Sequence, residues 1–199
     1  MTPTTTPSRY NAVAIGLHWL IALMLIGLVV VGFVMGDLER SNPLKFQLYQ
    51  LHKSFGMTVL ALSLLRLVWR MTHRAPPLPP ESKRWEKGLA HAVHYGFYVL
   101  MLGLPLVGWL GVSTSPLKIP TVIFGLFTLP PLPFLQGIEG ISHDLFELHE
   151  MMAFLLIGLF GLHVGAALKH HFMLKNDIVL RMTPRFSHGL LRALRGQKS

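Results

Sequence analysis

Eleven of the 199 residues are histidine, and six of them fall inside long apolar stretches: His18, His52, His91, His94, His149 and His163. An ionisable group is costly in hydrocarbon and usually functional there. A neutral imidazole can bind a metal, relay a proton or bond a core carbonyl. One histidine alone is most often a hydrogen-bonded core residue, so spacing has to decide. His149 and His163 are 14 residues apart. On a helix they differ by about 40° in angle and about 21 Å in depth. They therefore share one face at two levels. The chain has no cysteine, which excludes disulfides, thiol catalysis, iron–sulfur clusters, thiolate zinc sites and covalently attached haem.

Holding such rings in place requires membrane-spanning helices. Hydrophobic residues make up 51% of the chain and charged ones 14%, with a mean hydropathy of +0.48. A soluble domain carries about 25% charge, so this chain is built for lipid. Four stretches, about 12–35, 47–69, 89–112 and 145–167, are long enough to cross a bilayer core. The first is not read as a signal peptide. It is long, only Arg9 precedes it, and no small-x-small cleavage site follows. The expected fold is all-α: an integral membrane four-helix bundle, up-down-up-down, forming a single domain over 1–199.

Basic residues set the orientation. Arg66, Arg70, Arg74, Lys83, Arg84 and Lys87 cluster around the connection of spans 2 and 3. Lys169, Lys175, Arg181, Arg185, Arg192, Arg195 and Lys198 lie in the tail. The opposite side has Arg40, Lys45 and Lys118, offset by Asp37, Glu39, Glu139, Asp144 and Glu147. Positive charge stays on the cytoplasmic side, so both termini are expected inside. The net charge of +9 thus reflects topology rather than nucleic-acid binding, and the basic tail 169–199 is expected against anionic headgroups. Residues 75–80, APPLPP, read as a stiff cytoplasmic turn. The outer connection 113–133 is apolar, rich in proline and aromatics, and too interrupted to span. Residues 116–135 are expected in the outer interface or as a cap on the bundle.

With this topology, His18 and His163 fall toward the inner surface, and His52 and His149 toward the outer. Two opposed imidazoles at each of two levels is what a six-coordinate haem requires above and below its iron. Gly56, one turn past His52, lets a macrocycle lie against the helix backbone; ordinary close helix packing is the alternative. Arg66, 14 residues after His52, reaches the inner level, where a haem propionate would accept its charge-assisted bonds. Arg70 is a further candidate for that margin, although a snorkelling interfacial arginine fits it better.

These residues carry a resemblance. The chain resembles the bacterial cytochrome b561 family, related to the cytochrome b subunits of nickel–iron hydrogenases. The motifs are Gly16-Leu17-His18-Trp19, His52-Lys53-Ser54-Phe55-Gly56, Leu65-Arg66-Leu67, His91-x-x-His94, Pro105-x-x-Gly108-Trp109, His149, Leu162-His163, Ala166-Ala167-Leu168-x-His170-His171-Phe172 and Leu180-Arg181-Met182-x-Pro184. The resemblance implies two non-covalent haems b in a four-helix bundle of the bacterial inner membrane. It supports the same ligands: His18 with His163 for the inner haem, His52 with His149 for the outer. The longer, more apolar outer connection departs from the family pattern.

Two ligands on each iron leave no open position, so the expected chemistry is outer-sphere electron transfer rather than oxygenation. The irons would stand roughly 20 Å apart along the axis. No residue is expected to be catalytic. A quinone, ubiquinone or another, is the expected lipid-soluble partner. Candidate sites for it are His91 and His94 at the inner end of span 3, or the outer cap near Lys118 and Trp109. His91 and His94 could instead bond inner-haem propionates, and Lys53 adjoins the outer ligand His52. Within the resembling family, superoxide is one proposed outer donor and quinone the acceptor. Lys53 and Lys118 would steer that anion, but Asp144, Glu147 and Glu150 oppose them. A periplasmic redox protein is therefore the broader expectation. If the chain is an enzyme, it is an oxidoreductase acting with quinone; otherwise it is a carrier. The alternatives are a membrane-anchor haem subunit relaying electrons from a soluble dehydrogenase or hydrogenase, and a histidine-based metal-ion transporter collecting ions at His170-His171. A transporter would want carboxylate partners at the membrane midplane, and the span interiors offer none there.

Overall fold

A computed structural model describes residues 9–77, 83–132 and 140–196. Four long helices form the body: α1 (Ala12–Asp37), α2 (Pro43–Thr72), α3 (Arg84–Thr114) and α4 (Ser142–Leu168). Each is long and apolar enough to cross a membrane. Polar groups outside the apolar stretches fix several of the helix ends. Asn11 Oδ1 accepts the Ala14 N–H at 2.9 Å, and Asn42 Oδ1 accepts the Leu44 N–H at 3.0 Å with Pro43 at the first helical position. The Glu86 carboxylate accepts the Lys83 N–H at 3.1 Å and also pairs with Lys169 at 2.9 Å, which ties the start of α3 to the end of α4.

Consecutive helices are neighbours: α1 packs on α2, α2 on α3 and α3 on α4. The α3–α4 seam is antiparallel and built on glycine. A Cβ at Gly96 would come 2.8 Å from Leu159, one at Gly103 2.8 Å from Met152, and one at Gly111 2.8 Å from Phe146. Small residues let membrane helices approach where no hydrophobic force drives them together. Among the described residues, α1 and α4 have no comparable backbone packing. They meet through side chains, His18 against His163 and Phe33 against Phe154, with ring centres 6.1 Å apart in the second pair.

At mid-depth, Ile21, Val59 and Met101 form one buried cluster, and Leu100, Leu104 and Leu156 a second. Leu25 and Phe97 pack against both. This buried layer draws on all four helices.

The α3–α4 connection holds a two-stranded antiparallel hairpin that the sequence reading does not anticipate: β1 (Thr121–Ile123) pairs with β2 (Phe127–Leu129), Thr121 opposite Leu129. It turns at Phe124 and Gly125, both at positive φ. Gln50 and Lys53 donate to the Pro120 carbonyl at 3.0 and 2.8 Å, and Gln50 accepts the Val122 N–H at 3.2 Å. The buried Ser54 hydroxyl accepts the Phe124 N–H at 3.1 Å. On the other side, Trp109 donates to the Pro130 carbonyl at 3.2 Å, and Ser113 Oγ accepts the Leu132 N–H at 3.2 Å. The connection is thus clamped to the N-terminal part of α2 and the C-terminal part of α3. Residues 75–77 are non-helical, as the APPLPP turn requires. Residues 78–80 of that turn, 133–135 of the outer connection, Glu139 and Lys198 lie outside the described residues.

Below α4 the chain makes one π-turn (Lys169–Met173), then two short helices, α5 (Ile178–Met182) and α6 (His188–Leu194). His170 bonds Asn176 at 2.8 Å, and the buried His171 donates through Nε2 to the Leu191 carbonyl at 3.0 Å. Both rings serve the fold of the tail.

Candidate functional site

The structure brings four span histidines together as two pairs. The ring centres of His18 and His163 are 6.2 Å apart at an interplanar angle of 66°. Those of His52 and His149 are 6.1 Å apart at 67°. A metal–imidazole bond of about 2 Å on each side, plus roughly 1 Å from each nitrogen to its ring centre, separates two opposed ligands by about 6 Å. Both pairs fit that spacing. Nδ1 of His18 and Nδ1 of His52 are buried without a hydrogen-bond partner. Among the described residues, no three or more histidine, aspartate or glutamate side chains gather as a bare-ion site. Two protein ligands per level suit a cofactor that supplies the remaining ligands itself.

Each ring is positioned by its helix neighbours. His149 Nδ1 lies 3.0 Å from the carbonyl oxygen of Leu104 on α3. A carbonyl only accepts, so Nδ1 carries the hydrogen and Nε2 is left with a free lone pair. Leu104 directly precedes Pro105, the one proline inside α3 among the described residues. Gly108 follows one turn later; a Cβ there would sit 3.3 Å from both Cε1 and Nδ1 of His149. Across the bundle, a Cβ at Gly32 would be 3.7 Å from Cε1 of His52.

Gly56 shows the opposite situation. A Cβ there would meet no other atom within 4 Å, so the missing side chain serves no helix packing. Gly56 lies one helical turn from His52, on the same face of α2. Arg66 is half-buried, with its guanidinium carbon 6.0 Å from the Tyr98 ring centre. Among the described residues it pairs with no carboxylate. A cation so placed suits a propionate. Arg70 is exposed.

His94 stands at the level of His18 and His163, its ring centre 5.5 Å from that of His163 and nearly perpendicular to it. His91 is exposed and does not join that group. Lys53 is held by the Pro120 carbonyl, and Trp109 by Pro130. Lys118 is exposed at positive φ.

Sequence reasoning missed Gly32, the Leu104 carbonyl, the role of Gly108, and Ser63. Ser63 is fully buried with an unpartnered hydroxyl. Gly32 had a signal: it follows His18 by 14 residues, the same interval as Arg66 after His52 and His163 after His149.

Four antiparallel apolar helices with opposed imidazoles between them are the architecture of a membrane electron-transfer protein of the b-cytochrome class. The chain belongs to the prokaryotic cytochrome b561 family, whose model matches residues 9–185. It is 30% identical over 187 residues to cytochrome b561 homolog 2 of Escherichia coli (strain K12), covering 94% of this chain and 97% of that one. It is also 30% identical over 179 residues to "Probable superoxide oxidase CybB" of Yersinia pestis, covering 89% and 97%. Cytochrome b561 homolog 1 of Escherichia coli (strain K12) is 26% identical over 178 residues, covering 89% and 98%. The chain is thus a multi-pass bacterial membrane protein of a haem b electron-transfer family, and the transporter alternative falls away.

Proposed function

We propose that the protein holds two haems b and passes single electrons between the quinone pool and a partner at the outer face of the bacterial inner membrane, with both termini in the cytoplasm. The observation that carries this reading is the pair of matched imidazole couples, near 6 Å each, whose α4 members are 14 residues apart.

His18 and His163 hold the inner haem, and His52 and His149 the outer. Held by these residues, haem b would supply reversible one-electron chemistry. The Leu104 carbonyl holds His149 in the tautomer that ligates through Nε2. Gly56 leaves room against α2 for the outer ring. Arg66 offers its charge to an inner propionate, with Arg70 at the edge of the same margin. The layer around Ile21, Val59, Met101 and Leu156 keeps water and protons out of the space between levels. His94, against His163, is the residue we assign to the inner quinone or propionate contact.

Superoxide is the outer donor to test first, because a relative at 30% identity carries the name of a superoxide oxidase. Two superoxide anions would each give up one electron to become oxygen, and one quinone would take both electrons with two protons to become quinol. Asp144, Glu147 and Glu150 are exposed, so steering should be weak and the rate nearly independent of ionic strength. The test is quinone reduction in proteoliposomes supplied with superoxide from outside. Quinol should appear with the wild type and not with His52→Ala. Equal rates in the two would overturn the reading.

A further inference from the structure

Electron transfer leaves unused a recess of about 260 Å³ at the end of the bundle that carries both termini. It is lined by Arg9, Asp177, Leu180, Arg181, His188 and Arg192. Two of the arginines are held by backbone carbonyls, which leave their charge unneutralised. Arg9 donates to the carbonyls of Leu180 (3.3 Å) and Thr183, and Arg181 donates to the carbonyl of Pro77 at 2.6 Å. Among the described residues, Arg192 forms no hydrogen bond or ion pair. The single carboxylate, Asp177, is already taken: it pairs at 2.6 Å with Arg195, whose side chain is 2% exposed. Three arginines therefore line one small space whose one carboxylate is already paired.

The surface next to the recess is apolar. Phe186, Leu190 and Leu194 follow one another at four-residue intervals and are 89%, 66% and 58% exposed. That spacing makes one stripe along α6 and the turn before it. Trp19, itself exposed, donates its indole N–H to the Met182 carbonyl at 2.8 Å at the same end of the bundle. An apolar stripe rimmed by arginines matches a helix lying in the boundary between headgroups and acyl chains. Guanidinium groups match phosphate oxygens in charge and in their paired donors.

We infer that this recess binds the phosphate of an anionic phospholipid in the adjacent leaflet, with α6 laid in the interface above the acyl chains. The site depends on membrane residence and not on the haem assignment.

The haem-loaded full chain in nonionic detergent can be titrated with dioleoylphosphatidylglycerol or dioleoylphosphatidylcholine, with bound lipid read by native mass spectrometry. Phosphatidylglycerol should bind at least tenfold more tightly. Arg192→Gln, at an exposed position, should weaken it about tenfold, the order of one charge-assisted hydrogen bond. Arg185→Gln removes the same charge outside the recess and should change binding less than twofold. Arg181→Gln, with haem content as the check on folding, should reproduce the Arg192→Gln loss. Equal losses from Arg192→Gln and Arg185→Gln would reduce the effect to diffuse attraction and overturn the site. Full displacement by millimolar inorganic phosphate would make it a free-anion site and overturn the lipid assignment.

Discussion

His149 on α4 gives its Nδ1 hydrogen to the backbone carbonyl of Leu104 on α3, at 3.0 Å. The protein alone therefore fixes both the tautomer and the angle of this ring, before any cofactor arrives. The Leu104 carbonyl and the absent side chain of Gly108 lie one helical turn apart and together define the seat. This gives the Pro105-x-x-Gly108 motif a physical purpose: a turn whose surface is bare enough for an imidazole to lie on it.

Filling that seat should disturb one haem and spare the other. In Gly108→Ala the new Cβ would press on Cε1 and Nδ1 of His149 at 3.3 Å, an overpacking of about 1 kcal/mol. A spectroscopic redox titration should show the outer haem shifted or partly lost. The inner component should keep its wild-type potential. Gly108→Val should remove the outer haem.

The pairing itself makes a sharper demand. His52→Ala and His149→Ala should each lower the haem b content from two to one per chain, and so should His18→Ala and His163→Ala. The first two variants should lose the same spectral component, and the last two the other. Retention of two haems in any of the four would break the proposed couples.

Gly56 distinguishes a cofactor pocket from helix packing. A Cβ there meets no protein atom, whereas one at Gly96 would strike Leu159. Gly56→Leu should therefore leave helical content by circular dichroism unchanged, or raise helix stability by up to ~1 kcal/mol, while outer haem is lost. Gly96→Leu should loosen the α3–α4 seam and affect both haems.

Arg66 predicts a potential. A cation favours the more negative, reduced state of a nearby iron, so removing it must lower the midpoint. Arg66→Gln should bring the inner haem down by about 60 mV, equivalent to ~1.4 kcal/mol for one electron. Arg66→Lys should restore much of that. An unchanged potential in Arg66→Gln would return the residue to the interface as a snorkelling arginine.

What is legible in the sequence follows from the rigidity of helices. Along one helix, sequence distance converts directly into angle and depth, so His149 and His163, or His52 and Arg66, fall on levels from spacing alone. The four spans are equally visible, because apolar runs of that length in a chain with 14% charge fit little besides a bilayer. The hairpin is hidden because its pairing and docking rely on partners far along the chain, Gln50 and Ser54 among them. The Leu104 carbonyl is hidden for a different reason: every residue has one, and only the fold selects which accepts. The Arg195–Asp177 pair and the π-turn of the tail belong to the same non-local class.

Whether four imidazoles act as two opposed couples can be decided by pyridine haemochrome quantitation against polypeptide concentration in the purified chain. Two haems b per polypeptide are expected, both low-spin in the reduced spectrum. A single haem, a high-spin component with an open position, or colourless protein would refute the couples.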